Sequence, residues 1–325
     1  MEALLCREFG ALEGLAVAEV PSPVAGAGQV VITVKAAGVN FPDILMVQGK
    51  YQIRPALPFS PGSEFAGVVK EVGEGVTHVK AGDAVLATSI HGGGFAQEAL
   101  VDAAAVVPVA PGVDFAVAAA LMFAHGTALH ALKDRARLVA GETLLVLGAA
   151  GGVGLAAVEI GKLLGADVIA AASTDDRLAV CKTRGADHAI RYDREDLKDA
   201  VRELTKGRGA DVVFDPVGGT MSEPALRATA WNGRFLVIGF ASGNIPRIPL
   251  NLPLLKGASI VGVFWGEFVL REPERNAANA RELMEAVAAG TIKPLVSARY
   301  PLGRAVDALR ALERREVIGK IVVEP

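Results

Sequence analysis

The residues most suited to binding chemistry stand in one short run, Gly148-Ala149-Ala150-Gly151-Gly152-Val153-Gly154. It follows the apolar stretch Thr143-Leu144-Leu145-Val146-Leu147 and precedes the helical pattern Val153–Leu164. The first backbone N–H groups of a helix have no intrahelical acceptor, and the helix dipole is positive at that end. A pyrophosphate can accept those hydrogen bonds where no side chain blocks its approach, which accounts for a glycine at Gly151 or Gly152. Gly154 is expected to let the helix pack closely on the strand. A strand before the turn, a helix after it and a second strand at Asp167–Ala171 are the context in which such a turn signals dinucleotide binding. The second strand ends in Ile169-Ala170-Ala171-Ala172-Ser173-Thr174, with no acid before Asp175. An acid there would hold a ribose 2′-hydroxyl, whereas small residues leave room for a 2′-phosphate. Arg177 can pair with that phosphate, or be an exposed helix charge beside Asp176. NADPH rather than NADH is therefore expected.

Positioning such a turn requires a parallel sheet. Strand-like segments at Asp167–Ala171, His188–Arg191, Asp211–Asp215, Arg234–Ile238 and Ser259–Val263 alternate with helical patterns at Val153–Leu164, Asp175–Arg184, Glu195–Thr205 and Thr220–Trp231. This βαβ series predicts a doubly wound α/β Rossmann domain. Upstream, Gln29–Lys35, Ala66–Val72 and Asp83–Ala87 read as short strands broken by Gly and Pro, hence an antiparallel, partly closed β domain. Val117–Lys133 reads as a helix. The tail, with a helix over Glu272–Ala289 and a strand over Gly319–Val323, is expected to return to the first domain.

Composition bounds the rest. A chain of 325 residues suits two domains, and 51% hydrophobic with 21% charged residues is globular. A net charge of −3 without a basic run argues against nucleic-acid binding. No uninterrupted apolar stretch of about 18 residues stands out, so no membrane span is expected. Met1–Glu8 lacks an apolar region, so no secretory leader is expected there. Cys6 and Cys181 are the only cysteines, which excludes a disulfide framework and a Cys-rich zinc site and makes a reducing cytoplasm the default.

The chain resembles the zinc-independent quinone oxidoreductases of the medium-chain dehydrogenase/reductase superfamily. Ala36–Asp43, Pro61–Gly67 and Val72–Val76 are similar to that family's N-terminal signature, Gly148–Gly154 to its turn, and Val261–Gly266 to its last Rossmann strand. The resemblance implies a GroES-like β domain (1–123), a Rossmann NAD(P)-binding domain (124–265), a C-terminal return (266–325), an active site between domains and a homodimer. It places the cofactor at Asn40, Thr127, Ala150, Gly151, Gly152, Val153, Ser173, Arg177, Tyr192, Val217, Phe240, Ala241, Val263, Phe264, Trp265 and Lys320. Two readings stand for several of these. Thr127 either meets the nicotinamide or bonds its own helix backbone. Tyr192 is a 2′-phosphate ligand or a surface aromatic, and Lys320 a cofactor neighbour or a solvated lysine.

No zinc is expected. Zinc-dependent relatives carry Cys where this chain has Asn40 and His where it has Ser63. Glu64 alone does not hold a catalytic zinc, and the four-cysteine lobe is missing. Charge on a hydride acceptor must then be met by hydrogen-bond donors, with the Asn40 amide and the Tyr51 hydroxyl as catalytic candidates; Tyr51 is otherwise a packing aromatic. Leu45 and Leu129 stand where some quinone reductases have tyrosines, which implies a more apolar pocket. Three functions remain open: reduction of a quinone, reduction of the C=C bond of an α,β-unsaturated ketone or enoyl thioester, and NADPH binding without turnover.

Overall fold

The computed structural model describes residues 1–325. The chain divides into two compact units, Met1–Phe123 with Glu272–Pro325, and Ala124–Arg271. The first contains strands β1 (Glu2–Leu5), β2 (Ala16–Glu19), β3 (Gln29–Gly38), β4 (Glu64–Val72), β5 (Ala84–Thr88), β6 (Glu98–Asp102) and β7 (Val106–Pro108). The second contains β8 (Thr143–Leu147), β9 (Asp167–Ala172), β10 (His188–Arg191), β11 (Ala210–Asp215), β12 (Thr229–Val237) and β13 (Ser259–Gly262). The return adds β14 (Val296–Pro301) and β15 (Lys320–Glu324) to the first unit.

In the first unit the sheet runs β14-β15-β3-β4-β5-β7, with β6 also pairing β3. All pairings are antiparallel except β14 with β15. The long strand β3 therefore has β6 along its first half and β15 along its last residues. Gly38, at the end of β3, is in register with Glu64 of β4 and Val322 of β15. That register brings the loop after β3, the start of β4 and the start of β15 to one point. Ile32, Val34, Phe65, Val85 and Phe95 lie in the core beside it.

The second unit is a parallel sheet in the order β10-β9-β8-β11-β12-β13, the strand order of a doubly wound nucleotide-binding fold. Every residue of β8 is buried, as a strand covered on both faces requires. Most boundaries follow the sequence pattern within a residue or two, but β3 runs three residues past Lys35 and β12 starts five residues before Arg234. The helix expected over Thr220–Trp231 is Ser222–Ala228, and Thr229–Trp231 belong to β12. β13 ends at Gly262, and a helix runs from Trp265 to Arg271, so Trp265 is not in the last strand. That helix stays with the second unit because Phe268 stacks on His130, ring centres 3.9 Å apart. The unit thus closes at Arg271 instead of residue 265.

Phe115–Arg135 is long and apolar enough to cross a membrane by length and composition alone, but it is mostly buried inside the fold. It is also not one regular α-helix. Wide π-helical turns at Met122–Gly126 and His130–Arg135 flank the α-helical Thr127–Leu129. Such turns re-aim side chains and gather at functional sites.

Candidate active site

The glycine turn is built as a phosphate cradle. Gly148 has φ +56°, a left-handed conformation, and a Cβ there would press on Val217. Gly154 has no room for a Cβ at all: it would stand 2.3 Å from the Gly148 oxygen and 2.9 Å from the Ala149 Cα. The close approach is thus between helix and turn backbone. Packing on the sheet falls to Gly161, where a Cβ would meet Leu144 and Val168 side chains. At Gly151 a Cβ would touch only the Gly148 oxygen, at 3.4 Å, so the space above it is open. Gly151 caps the helix Gly152–Leu163 with no side-chain hydrogen bond. Asp114, Thr174 and Asp196 cap other helices with their side chains. The uncapped end leaves N–H donors for a ligand anion, and the fit to a dinucleotide pyrophosphate is good. Gly151, Gly152 and Val153 are half-exposed, while Ala150 is buried and offers only its backbone.

The strand ends gather the other expected cofactor residues of this unit. Arg191 is in register with Ala172, so Tyr192 and Ser173 each directly follow this last paired position. Thr174 accepts a hydrogen bond from the Arg177 N–H at 3.3 Å, fixing the start of the helix Asp175–Thr183. The Tyr192 ring packs against the core while remaining half-exposed. Asp215, at the end of β11, accepts the N–H groups of Val217 and Gly218 and the Ser222 hydroxyl. Ala241 and Ser242 in turn donate their N–H groups to the oxygens of Pro216 and Val217. Val217, Phe240 and Ala241 are thereby held together. Phe240 and Phe264 are exposed; Val263 and Trp265 are buried, and Trp265 lies against Gly126. Thr127 follows that glycine. Unlike Thr183, Thr205 and Thr229, its hydroxyl makes no bond to a preceding carbonyl, so the helix-backbone reading fails.

A buried polar cluster occupies the convergence point of the first unit. The Lys320 ammonium, on β15, donates to Asn40 Oδ1 at 2.5 Å, to the Val39 oxygen at 3.2 Å and to Glu64 Oε2 at 3.3 Å. Asn40 Nδ2 donates to Glu64 Oε2 at 3.2 Å and to the Gly38 oxygen at 3.3 Å. Glu64 Oε1 accepts the Phe123 N–H at 2.9 Å. Asp43 accepts the Asn40 N–H at 2.8 Å, and the Ser63 N–H and hydroxyl at 3.0 and 2.7 Å. Lys320 is only 6% exposed and Glu64 and Asp43 are fully buried. Burial raises the Asp43 carboxyl to about 6, although Ser63, Asn40 and Lys320 all favour its charged form.

This arrangement revises two expectations. Lys320 is not a solvated lysine, and its three hydrogens all have acceptors within the unit, leaving none for a cofactor. Both hydrogens of the Asn40 amide are likewise engaged, so a donor role requires one of them to be given up. Tyr51 packs its ring on the core, and its hydroxyl makes no hydrogen bond in the chain. Burial, then the Asp43 charge, raise its phenol above the ordinary value. Leu129 is fully buried and lines no open surface; Leu45 is half-exposed. The donor set at the zinc-ligand positions is an amide, a hydroxyl and a carboxylate, with an ammonium already on two of them. That set does not fit zinc. No group of three or more His, Cys, Asp or Glu side chains is placed to hold a metal ion.

Sequence reasoning missed the partners that organise these residues. Asn40-Phe41-Pro42-Asp43 carries the spacing of a capped helix start, Asn at the cap and an acid three residues on, which signals Asp43. The Glu64–Lys320 pair spans 256 residues and had no local signal. Neither did His125, whose Nε2 lies 2.8 Å from Glu159 Oε2 on the helix below the glycine turn, with Arg184 on the other Glu159 oxygen.

Residues 26–111 match the alcohol dehydrogenase GroES-like domain family, and residues 152–285 the zinc-binding dehydrogenase family. A quinone oxidoreductase-like protein 2 homolog of Nematostella vectensis is 40% identical over 324 residues, covering 99% of this chain and 88% of the relative. A mycobacterial protein solved in complex with NADPH superposes with a TM-score of 0.93 at 33% identity, covering 100% of both chains. Escherichia coli quinone oxidoreductase complexed with NADPH superposes with a TM-score of 0.92 at 29% identity, again covering 100% of both. With its two folds, its glycine turn and this likeness over its whole length, the chain belongs to the quinone oxidoreductase-like proteins of the medium-chain dehydrogenase/reductase superfamily.

Proposed function

We propose that the protein is an NADPH-dependent oxidoreductase that works without zinc and reduces a quinone by hydride transfer, as a cytoplasmic homodimer. The observation that carries this reading is the uncapped glycine-rich helix start beside a β9 end free of acids. Bound there, NADPH supplies the hydride. The chain's own work is to hold the pyrophosphate on the N–H groups of residues 151–153 and to accommodate the 2′-phosphate near Ser173, Arg177 and Tyr192. Phe240 and Phe264 add exposed apolar surface in the same unit, and the Thr127 hydroxyl is not committed to its own helix. At the acceptor, the Tyr51 hydroxyl is a free donor, and Asn40 is held in one orientation by Lys320 and Glu64.

The zinc-free part of the reading rests on the donor set, in which an ammonium lies on Asn40 and Glu64. The homodimer is supported by the edge strand β13 and the exposed Trp231, Leu254, Leu255 and Ile260 on and beside it. Two free, buried thiols suit a reducing compartment. Leu45 favours a second acceptor class, the C=C bond of an enone or enoyl thioester, because it adds apolar surface where a tyrosine would add a donor.

NADPH oxidation with 1,2- and 1,4-quinones, medium-chain enones and an enoyl-CoA, side by side, tests the assignment. Turnover of quinones is the expected result. Turnover of enones alone moves the protein to the second class, and tight NADPH binding without turnover of any acceptor makes it a binding protein.

A further inference from the structure

A 2′-phosphate carries roughly one and a half to two negative charges near neutral pH. Four carboxylates stand within three residues of its expected place: Asp175, Asp176, Asp193 and Glu195. Asp175 is the first residue of the helix that follows Ser173 and Thr174, and Asp193 follows Tyr192. Left uncompensated, they would oppose the phosphate.

Two of them are compensated by one side chain. Arg191 donates from Nη1 to Asp175 Oδ2 at 2.6 Å, and from Nε and Nη2 to the two oxygens of Asp193 at 2.9 and 2.7 Å. Its side chain is 14% exposed, against 76% for Asp175, so the guanidinium is held in place while the acid faces solvent. Its own N–H donates to Glu195 at 2.7 Å, which pins the backbone. The register of Arg191 with Ala172 sets this cation directly before the Ser173–Tyr192 pair. It thus links the acids on either side of that pair. A bidentate arginine is suited to this task, because its planar fork fixes a carboxylate in one orientation.

We infer that Arg191 is a specificity-determining residue: by neutralising Asp175 and Asp193 it makes the Ser173–Tyr192 site tolerant of a 2′-phosphate. This rests on the NADPH reading above. Arg191 acts through the acids it holds and need not touch the cofactor. Released, an acid at this position repels a 2′-phosphate but can accept a hydrogen bond from a ribose 2′-hydroxyl. The two cofactors should therefore respond with opposite sign, which a general distortion of the site would not produce.

The test is equilibrium binding of NADPH and of NADH, followed by fluorescence, to the unmodified protein, Arg191→Met, Asp175→Asn and the double variant. Arg191→Met is expected to weaken NADPH about tenfold, the scale of one lost positive charge acting across a side chain's length at a wet surface. NADH should change by less than about twofold or bind more tightly. Asp175→Asn should alter little alone and recover part of the loss in the Arg191→Met background, where Asp193 stays uncompensated, a coupling that independent sites do not show. Arg191→Lys, which keeps the cation, should keep the preference and serves if Arg191→Met does not fold. Equal losses for both cofactors, or an Asp175→Asn effect that is the same in both backgrounds, would overturn the inference. An unmodified protein that prefers NADPH while Arg191→Met keeps that preference overturns the screening role alone. An unmodified protein that does not prefer NADPH overturns the cofactor reading and the inference with it.

Discussion

Removing the buried ammonium by Lys320→Met should be among the costliest single changes in the first unit. Methionine keeps the reach of the side chain but leaves Asn40 Oδ1, the Val39 oxygen and one Glu64 oxygen without the donor they now have at 2.5, 3.2 and 3.3 Å. Breaking a buried ion pair from one side costs about 3–5 kcal/mol, because the remaining charge is stranded. Glu64 keeps the Phe123 N–H at 2.9 Å and the Asn40 amide at 3.2 Å, which favours the lower end, about 3 kcal/mol. At about 2–4 °C per kcal/mol for a unit of this size, the thermal midpoint should fall by about 6–12 °C. Thermal unfolding followed by circular dichroism at pH 7.5 measures it. Adding Glu64→Gln should return a large part of the loss, since it removes the stranded charge while an amide can still accept and donate. A Lys320→Met midpoint within about 2 °C of the unmodified protein, or a further loss on adding Glu64→Gln, would refute the reasoning.

Three further outcomes follow from particular atoms. Asp43 has a folded value of about 6 against an ordinary 3.8. Because the folded value is raised, its contribution, up to about 3 kcal/mol, is fully present below about pH 4 and is lost as pH rises through 6. Carboxyl titration by NMR should find one resonance near that value, and a midpoint below 4.5 contradicts it. Gly154→Ala should lower both the thermal midpoint and NADPH affinity, since its Cβ would stand 2.3 Å from a backbone oxygen. Gly151→Ala, with 3.4 Å of clearance, should leave the midpoint within about 2 °C yet weaken NADPH at least tenfold by placing a methyl under the phosphates. Equal effects of both substitutions on stability would undo the distinction. Burial pushes the Cys181 thiol up to about 11, so a thiol reagent at pH 8 should label it only after urea unfolding; rapid labelling of the folded protein would be the contrary result.

Much of this was legible locally. The glycine turn, the five strands after β8 and the short β-rich segments each carry their pattern within about ten residues, and the fold repeats them closely. What failed has a common physical cause. Thr220–Trp231 reads as a helix by spacing, yet Thr229–Trp231 are strand, because β12 begins where Thr229 pairs with Ala210 of β11. The resemblance puts Trp265 with the last Rossmann strand, yet its ring lies against Gly126, and a helix starts at that residue. The Phe115–Arg135 pattern announces a helix but not the π-helical turns around Thr127. The candidate site divides in the same way. Gly151, Ser173 and Tyr192 are placed by local strand–turn–helix order, whereas the cluster of Asn40, Glu64 and Lys320 exists only because β15 returns beside the end of β3. The identity of each of these residues was visible; their mutual distances were set by a register between segments some 280 residues apart.

The central claim, hydride transfer from NADPH without zinc, is tested most directly by one rate measurement. NADPH oxidation by a 1,4-quinone is followed with protein freed of metal by prolonged chelation, before and after adding stoichiometric zinc. The buried ammonium on Asn40 and Glu64 predicts the same turnover in both samples. Loss of turnover on chelation, with recovery on adding zinc, would contradict it.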